Sequence, residues 1–200
     1  MARTLEKIGI FGGSFDPPHL GHFICARIVA EELGLSRVLV IPAAVPPHKQ
    51  NQMSAPADAR WEMVCAAVEG DPLFQPCRIE LNRGGVSYSV ETLEALGREY
   101  PSPDYRLYLL IGEDSFADLT TWREPERIMK LAQVVIMNRW DADDASIPTP
   151  WQEQVIRIKT PRIEISSTLI RRRVAAGLSI RDMVNDKVEA IIHRRNLFKS

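Results

Sequence analysis

The sequence predicts an α/β fold: a doubly wound, mainly parallel sheet with helices on both faces, plus a small helical part at the C-terminal end. Three observations carry this. Short apolar runs such as KIGIF (7–11), RVLVI (37–41) and RLYLLI (106–111) lack the in/out alternation of a half-exposed strand, so both faces must be covered. Segments with helical spacing separate them, which gives the crossovers that parallel strands need. The 200 residues, 45% of them hydrophobic, suffice for one well-packed core, so residues 1–200 read as a single domain with helices from about 166 packed on it.

The elements follow in order. KIGIF stops at Gly12-Gly13, as a buried strand does on meeting a turn. A helix over 19–33 is predicted because Leu20, Ile24 and Ile28 repeat at helical spacing, as do Cys25 and Val29, and Gly34 supplies a stop. Arg37 to Ile41 is a strand ended by Pro42, and the Pro-rich stretch 43–57 reads as a loop. Arg60 to Val68 reads as helix and Cys77 to Leu81 as strand. Gly84-Gly85 then turns into a helix over 90–99 with Ser89 as its cap. After the central strand 106–111 come a short helix (126–131), a strand (134–138), an Asp-rich loop (139–150) and a last strand (155–158). Ser166-Ser167-Thr168 opens a further helix. Ligands of such sheets sit at the carboxyl ends of the strands, so Gly12, Gly112 and the start of the serine-rich helix are expected at one crevice.

Composition excludes several classes. A formal net charge of -1 and a pI near 6.4 give no global field for nucleic acid or an anionic membrane, so an anion must be held by local groups. Cys25, Cys65 and Cys77 are odd in number and show no C-x-x-C pairing, which argues against a disulfide framework and a zinc knuckle and suits a reducing cytoplasm. No apolar run approaches the ~20 residues of a membrane span, and Met1 to Glu6 shows no signal-peptide core. The reading is intracellular and soluble.

Gly12-Gly13-Ser14-Phe15 matches neither G-x-G-x-x-G nor the P-loop, and a glycine pair alone also fits a tight turn using positive φ. His19 and His22, at i and i+3 of a helix start, can point from one face toward the helix N-terminus, with Gly21 between them leaving room for a ligand. Free N–H groups and the helix dipole there favour an anion, and imidazoles add donors. A plain partly buried histidine pair is the alternative. Metal ligation lacks a third ligand nearby, so no metal residue is assigned. Ser166 to Thr168 can cap a helix and donate to phosphate oxygens, and Arg171 lies one turn on. A capped helix with a solvated arginine run is the blander option.

GGSFDPPHLGH (12–22) resembles the HxGH signature of the nucleotidyltransferase superfamily, in the form typical of bacterial nicotinate-nucleotide adenylyltransferases, and ISSTLIRRR (165–173) is similar to that superfamily's ISSTxIR segment. The resemblance spans nearly the whole chain and implies a Rossmann-like fold. It also implies an ATP site of Gly12, Gly13, Ser14, Phe15, His19, His22, Ile111, Gly112, Asp114, Ser166, Ser167, Thr168 and Arg171, with His19, His22 and Arg171 catalytic. VPPHK (45–49) resembles the loop whose lysine, here Lys49, approaches the substrate phosphates. GGVSYSVETL (84–93) resembles the segment recognising the nicotinate end, which points to Tyr88 and Ser89. IGEDSFADLTTW (111–122) resembles the segment whose aspartate, Asp114, holds nucleotide and whose tryptophan, Trp122, stacks on the pyridine.

Some positions depart from the family pattern. Ser89 stands for a frequent Thr, Ile191 and Phe198 for two Tyr, and Asn138-Arg139-Trp140 matches the family's R-P-G turn only loosely, so Arg139 receives no role. The implied reaction joins AMP from ATP, with Mg²⁺, to nicotinate mononucleotide, giving nicotinate adenine dinucleotide and pyrophosphate. Phosphopantetheine and nicotinamide mononucleotide are the rival acceptors, and a silent nucleotide-binding module is the rival class. Small-molecule substrates are expected, without nucleic acid or membrane partners, and a homo-oligomer is among the states the sequence permits.

Overall fold

The computed structural model describes residues 5–47, 54–139 and 150–199, so Lys49 and residues 140–149 of the expected polar loop lie outside the described residues. Six strands form one sheet in the order β3-β2-β1-β4-β5-β6: β1 (Glu6–Gly13), β2 (Arg37–Pro42), β3 (Phe74–Pro76), β4 (Tyr105–Gly112), β5 (Gln133–Arg139) and β6 (Ile156–Thr160). The pairs β1–β4, β4–β5 and β5–β6 are parallel, with Ile10 opposite Leu109 and Leu109 opposite Val134. This order reverses between β1 and β4, the point where doubly wound sheets bind ligands beyond the strand ends. The helices are α1 (Leu20–Leu33), α2 (Ala57–Val68), α3 (Ile79–Arg83), α4 (Ser89–Glu99), α5 (Glu113–Ala117), α6 (Pro125–Leu131), α7 (Ser167–Ala175) and α8 (Asp186–Arg194). No helix of the described residues is long and apolar enough to cross a membrane.

The chain divides into two compact units. The first comprises Met1–Gly12, Cys25–Leu39 and Tyr88–Arg162. Its core is the apolar strand runs read from the sequence: Ile8, Ile10, Leu109, Leu110, Val134, Val135 and Ile136 are all buried. Lys7 Nζ donates to the Leu33 carbonyl at 2.9 Å, so a cation from β1 satisfies an orphan carbonyl at the end of α1.

The second unit comprises Gly13–Ile24, Val40–Ser87 and Ile163–Ser200. Here α2, α7 and α8 bury Ala59, Met63, Ile170, Val174, Val188, Ile191 and Ile192 in one cluster. Salt bridges from Arg194 and Arg195 to Glu62, and from Arg195 to Asp58 at 2.7 Å, line the exposed side of the α2–α8 contact.

Two sequence expectations are corrected. The strand expected over Cys77 to Leu81 is instead β3, three residues long and ending at Pro76, followed by the one-turn helix α3. Pro76 has no N–H to continue a ladder, and Gly84, at φ 70, closes α3 by donating to the Glu80 carbonyl. A single turn is too short to display a helical period. Ser89 is the first residue of α4 rather than its cap: the cap is Tyr88, whose carbonyl accepts from Glu91 and Thr92, and no side chain caps the helix.

Candidate functional site

Within the second unit the segment after β1 is built around three close approaches. Neither Gly12 nor Gly13 has positive φ; β1 runs straight through both, so the glycine pair is not a tight turn. Gly13 is required because the ring of Phe15 lies on it: a Cβ there would meet three Phe15 ring atoms at 3.1 to 3.4 Å. Phe15, 1% exposed, takes the left-handed conformation at φ 46, a strained state for a bulky residue that its burial holds in place. A Cβ on Gly12 would meet nothing within 4 Å, so the exposed end of β1 is open to an approaching group.

His19 precedes α1 and His22 lies in its first turn. Their rings stack with centroids 3.5 Å apart, and Phe15 meets His22 edge-on at 5.2 Å. The His19 backbone N–H donates to His22 Nδ1 at 3.1 Å, which makes that nitrogen an acceptor and leaves the proton of a neutral ring on Nε2. Burial lowers the His19 pKa to about 4; burial and the neighbouring His19 push His22 well below the usual histidine value. Both rings are therefore neutral at pH 7 in the ligand-free protein, acting as N–H donors rather than fixed cations. His19 Nδ1 is buried without a hydrogen-bond partner among the described residues. Gly21 is a packing requirement as well: a Cβ there would stand 3.1 Å from His19 Nδ1 and 3.2 Å from Ile163 Cγ2.

The serine-rich block also lies in this unit. Ser166 is the N-cap of α7, its hydroxyl accepting from the Leu169 N–H at 3.1 Å. Ser167 Oγ donates to the Pro17 carbonyl at 2.8 Å, tying the start of α7 to the histidine segment, while Thr168 Oγ1 accepts from Arg171 Nη2 at 3.3 Å. Arg171 Nη1 donates to the Asp16 carbonyl at 2.8 Å. His19, His22, Ser166, Ser167, Thr168 and Arg171, separated by about 150 residues in sequence as the Ser167–Pro17 pair is, are thus joined through Asp16 and Pro17.

Two residues given no role from sequence hold this frame. Arg60, 1% exposed on the buried face of α2, donates to the carbonyls of Ser14 (3.0 Å), Ala43 (2.6 Å) and Ala44 (3.1 Å). Asp16, also buried, accepts N–H groups from Ser54 and Ala55. Asp16 stands between two arginines, so the frame carries net positive charge inside a near-neutral chain. The available signal for Arg60 was an arginine spaced with Ala59, Met63 and Val64 on an apolar helix face.

The remaining predicted residues belong to the first unit. Ile111 is buried near the end of β4, Gly112 caps α5, and Asp114 is exposed in the first turn of α5. Trp122 is half-buried after a 3-10 turn over Leu119–Thr121. Tyr88 and Ser89 open α4, and Arg123 connects these segments: it lies 4.8 Å over the Tyr88 ring and pairs with Glu91 at 2.8 Å. Among the described residues no group of three or more His, Cys, Asp or Glu is placed to hold a metal ion.

Residues 10–173 match a family described as cytidylyltransferase-like. A protein of Thermus thermophilus, named "Probable nicotinate-nucleotide adenylyltransferase", is 42% identical over 195 residues, covering 96% of this chain and all of the relative. One of the same name from Thermomicrobium roseum is 41% identical, covering 98% of this chain and 93% of the relative. Among solved structures, the nicotinic acid mononucleotide adenylyltransferase of Plasmodium falciparum complexed with NaAD superposes with a TM-score of 0.74 at 19% identity, covering 96% of this chain and 97% of that one. The same enzyme complexed with APC gives 0.76 at 18% identity with the same coverage. These two establish likeness of fold.

Proposed function

The chain belongs to the cytidylyltransferase-like family and, within it, to the nicotinate-nucleotide adenylyltransferases, and from that premise we propose that it transfers AMP from ATP to nicotinate mononucleotide. The products are nicotinate adenine dinucleotide and pyrophosphate. The observation that carries the reading is the joined set His19, His22, Ser166 to Thr168 and Arg171 on a net positive frame.

In the proposed step a 5′-phosphate oxygen of the mononucleotide attacks the α-phosphorus of ATP in line. A new P–O bond forms as the bond to the β-phosphate oxygen breaks, and its electron pair leaves with pyrophosphate. The attacking phosphate is already an anion, so no general base is needed. The protein's work is positioning and stabilising the charge that moves toward the leaving group. His22, with Nδ1 occupied by the His19 N–H, presents Nε2–H as a donor. Arg171 has N–H groups beyond those given to Asp16 and Thr168, and these would be its donors to phosphate oxygens. An arriving phosphate raises the proton affinity of the His19 ring, whose Nδ1 has no partner among the described residues, while His22, its Nδ1 taken by the His19 N–H, acts as a neutral Nε2–H donor.

Mg²⁺ is the ion this chemistry uses. The donors here are imidazole, hydroxyl and guanidinium groups rather than clustered carboxylates, so the protein does not fit as a cage for it. The ion would therefore arrive with ATP, where it would offset the charge of the phosphates.

Tyr88, Ser89 and Trp122 are assigned to the pyridine end and Asp114 to nucleotide; the 42% identity to a relative named for nicotinate nucleotide favours that acceptor over the rivals. Pyrophosphate release is measured with ATP and Mg²⁺ and, separately, nicotinate mononucleotide, nicotinamide mononucleotide and phosphopantetheine. A kcat/KM highest for nicotinate mononucleotide is expected. A higher value for either other acceptor refutes the substrate assignment.

A further inference from the structure

Asp16 has no role in the reaction as described, yet three parts of the second unit meet on it. Its side chain is 4% exposed. Oδ2 accepts the Ser54 N–H at 2.9 Å and Oδ1 the Ala55 N–H at 3.0 Å. Its own carbonyl accepts Arg171 Nη1 at 2.8 Å, and Oδ2 lies 3.9 Å from that same nitrogen. Burial raises the carboxyl pKa, while the two amides and the charges of Arg171 and Arg60 work against that rise.

We propose that Asp16 is a positioning residue for the transfer reaction: it sets the direction of the Arg171 guanidinium and holds the turn that leads into His19. This rests on the reading of Arg171 as a phosphate-binding group. The chemistry of the two oxygens explains why a carboxylate stands here. Each accepts a backbone N–H, so an amide of the same shape would set an NH₂ against one of those N–H groups. The carboxylate also gives Arg171 a counter-charge, with Oδ2 3.9 Å from Nη1. The Asp16 carbonyl holds Nη1 at 2.8 Å and Thr168, uncharged, holds Nη2 only loosely at 3.3 Å, so the carboxylate acts by its charge and by fixing the turn that carries that carbonyl.

A residue acting through Arg171 has a signature that a merely structural one lacks. Asp16→Asn, Arg171→Ala and the double variant are compared with wild type by pyrophosphate release and by thermal melting. Asp16→Asn is expected to lower kcat by about 10- to 100-fold with KM for ATP changed by less than about threefold, because orientation and not uniform binding is lost. In the Arg171→Ala background the same change is expected to cost less than about threefold. Multiplying losses in the double variant, or an Asp16→Asn enzyme with more than half of wild-type kcat, would overturn the proposal. If Asp16→Asn does not fold, Arg171→Lys decides: it keeps the charge but not the fork. A kcat within about fivefold of Arg171→Ala upholds the role of orientation, and a higher one overturns it. Wild type is assayed with all three acceptors. Preference for another acceptor refutes the substrate reading and leaves the Asp16 comparison readable with that acceptor, whereas silence with all three overturns both.

Discussion

Replacing Gly21 with alanine separates catalysis from stability. The added Cβ would stand 3.1 Å from His19 Nδ1, 3.3 Å from His19 Cε1 and 3.2 Å from Ile163 Cγ2. Carbon contacts are comfortable at about 3.5–4.0 Å, so the imidazole or the isoleucine must retreat by roughly half an ångström. The imidazole is not free to do so: His22 is stacked on it at 3.5 Å and is itself tied to the His19 backbone N–H. A misplacement of ~1 Å in a reacting constellation can cost about 100-fold, so half that distance corresponds to about tenfold in kcat, or about 1.4 kcal/mol. Stability responds differently. Alanine in a helix gains up to about 1 kcal/mol over glycine, and overpacking costs about 1–3 kcal/mol. The net loss is at most about 2 kcal/mol, or under about 8 °C in Tm for a chain of this size. The assay is steady-state pyrophosphate release beside a thermal melt, with Gly97→Ala, inside α4, as the control whose Cβ meets nothing within 4 Å. A folded Gly21→Ala protein with kcat within about twofold of wild type would refute the claim that the His19 ring must sit where it does.

Acid should destabilise the ligand-free protein through His19. Its folded pKa of about 4 lies below the ordinary 6.5, so the unfolded chain binds more protons between those values. Stability is complete above pH 6.5 and is lost as pH falls toward 4, by about 3 kcal/mol. His22 acts in the same sense and Asp16 in the opposite one. The comparison is therefore urea unfolding of wild type and His19→Gln at several pH values; equal acid losses in both would exclude the assignment. Arg60→Met should lower stability by about 3–5 kcal/mol, since it leaves three carbonyls without their donor and removes one of the two cations beside Asp16. That corresponds to a Tm lower by roughly 6–20 °C, and a drop under about 2 °C would contradict it. Trp122→Ala should raise KM for the pyridine nucleotide at least about fivefold more than KM for ATP, whereas equal changes would remove the stacking role.

Much of the sheet was legible because its strands are nearly pure apolar runs closed by Gly or Pro. β1, β2 and β4 fall within two residues of the expected limits, and β5 and β6 within one or two. β3 and α3 were not, since three- and five-residue elements are too short for either period to declare itself. The proximity of the two histidines could be read because i and i+3 at a helix start bring side chains together, and the serine block because hydroxyls before a helix are a capping signal. What could not be read was the scaffolding. Arg60 acts on carbonyls 46, 17 and 16 positions away, and a backbone carbonyl has no residue code to search for. The neutrality of the histidines was hidden for a similar reason: sequence suggests imidazoles able to carry charge, and only their stacking and burial set the proton affinity.

These features form one electrostatic design. A chain with net charge -1 has no long-range attraction for a polyphosphate. The trio of Arg60, Asp16 and Arg171 supplies a local excess of positive charge, and its members spend their hydrogen bonds chiefly on backbone carbonyls and amides. Such bonds fix the groups before any ligand arrives, which is the condition under which a dipole or charge lowers a barrier without reorganising. The stacked histidines complete the arrangement from the other direction. Two imidazolium ions at 3.5 Å would repel, and burial adds to that, so the pair is neutral in the free protein. A site that carried both charges permanently would bind every phosphate tightly, ground state included; under the proposed reaction, donors that stay neutral in the free protein would favour the state in which negative charge is building, which is the preference that would raise kcat.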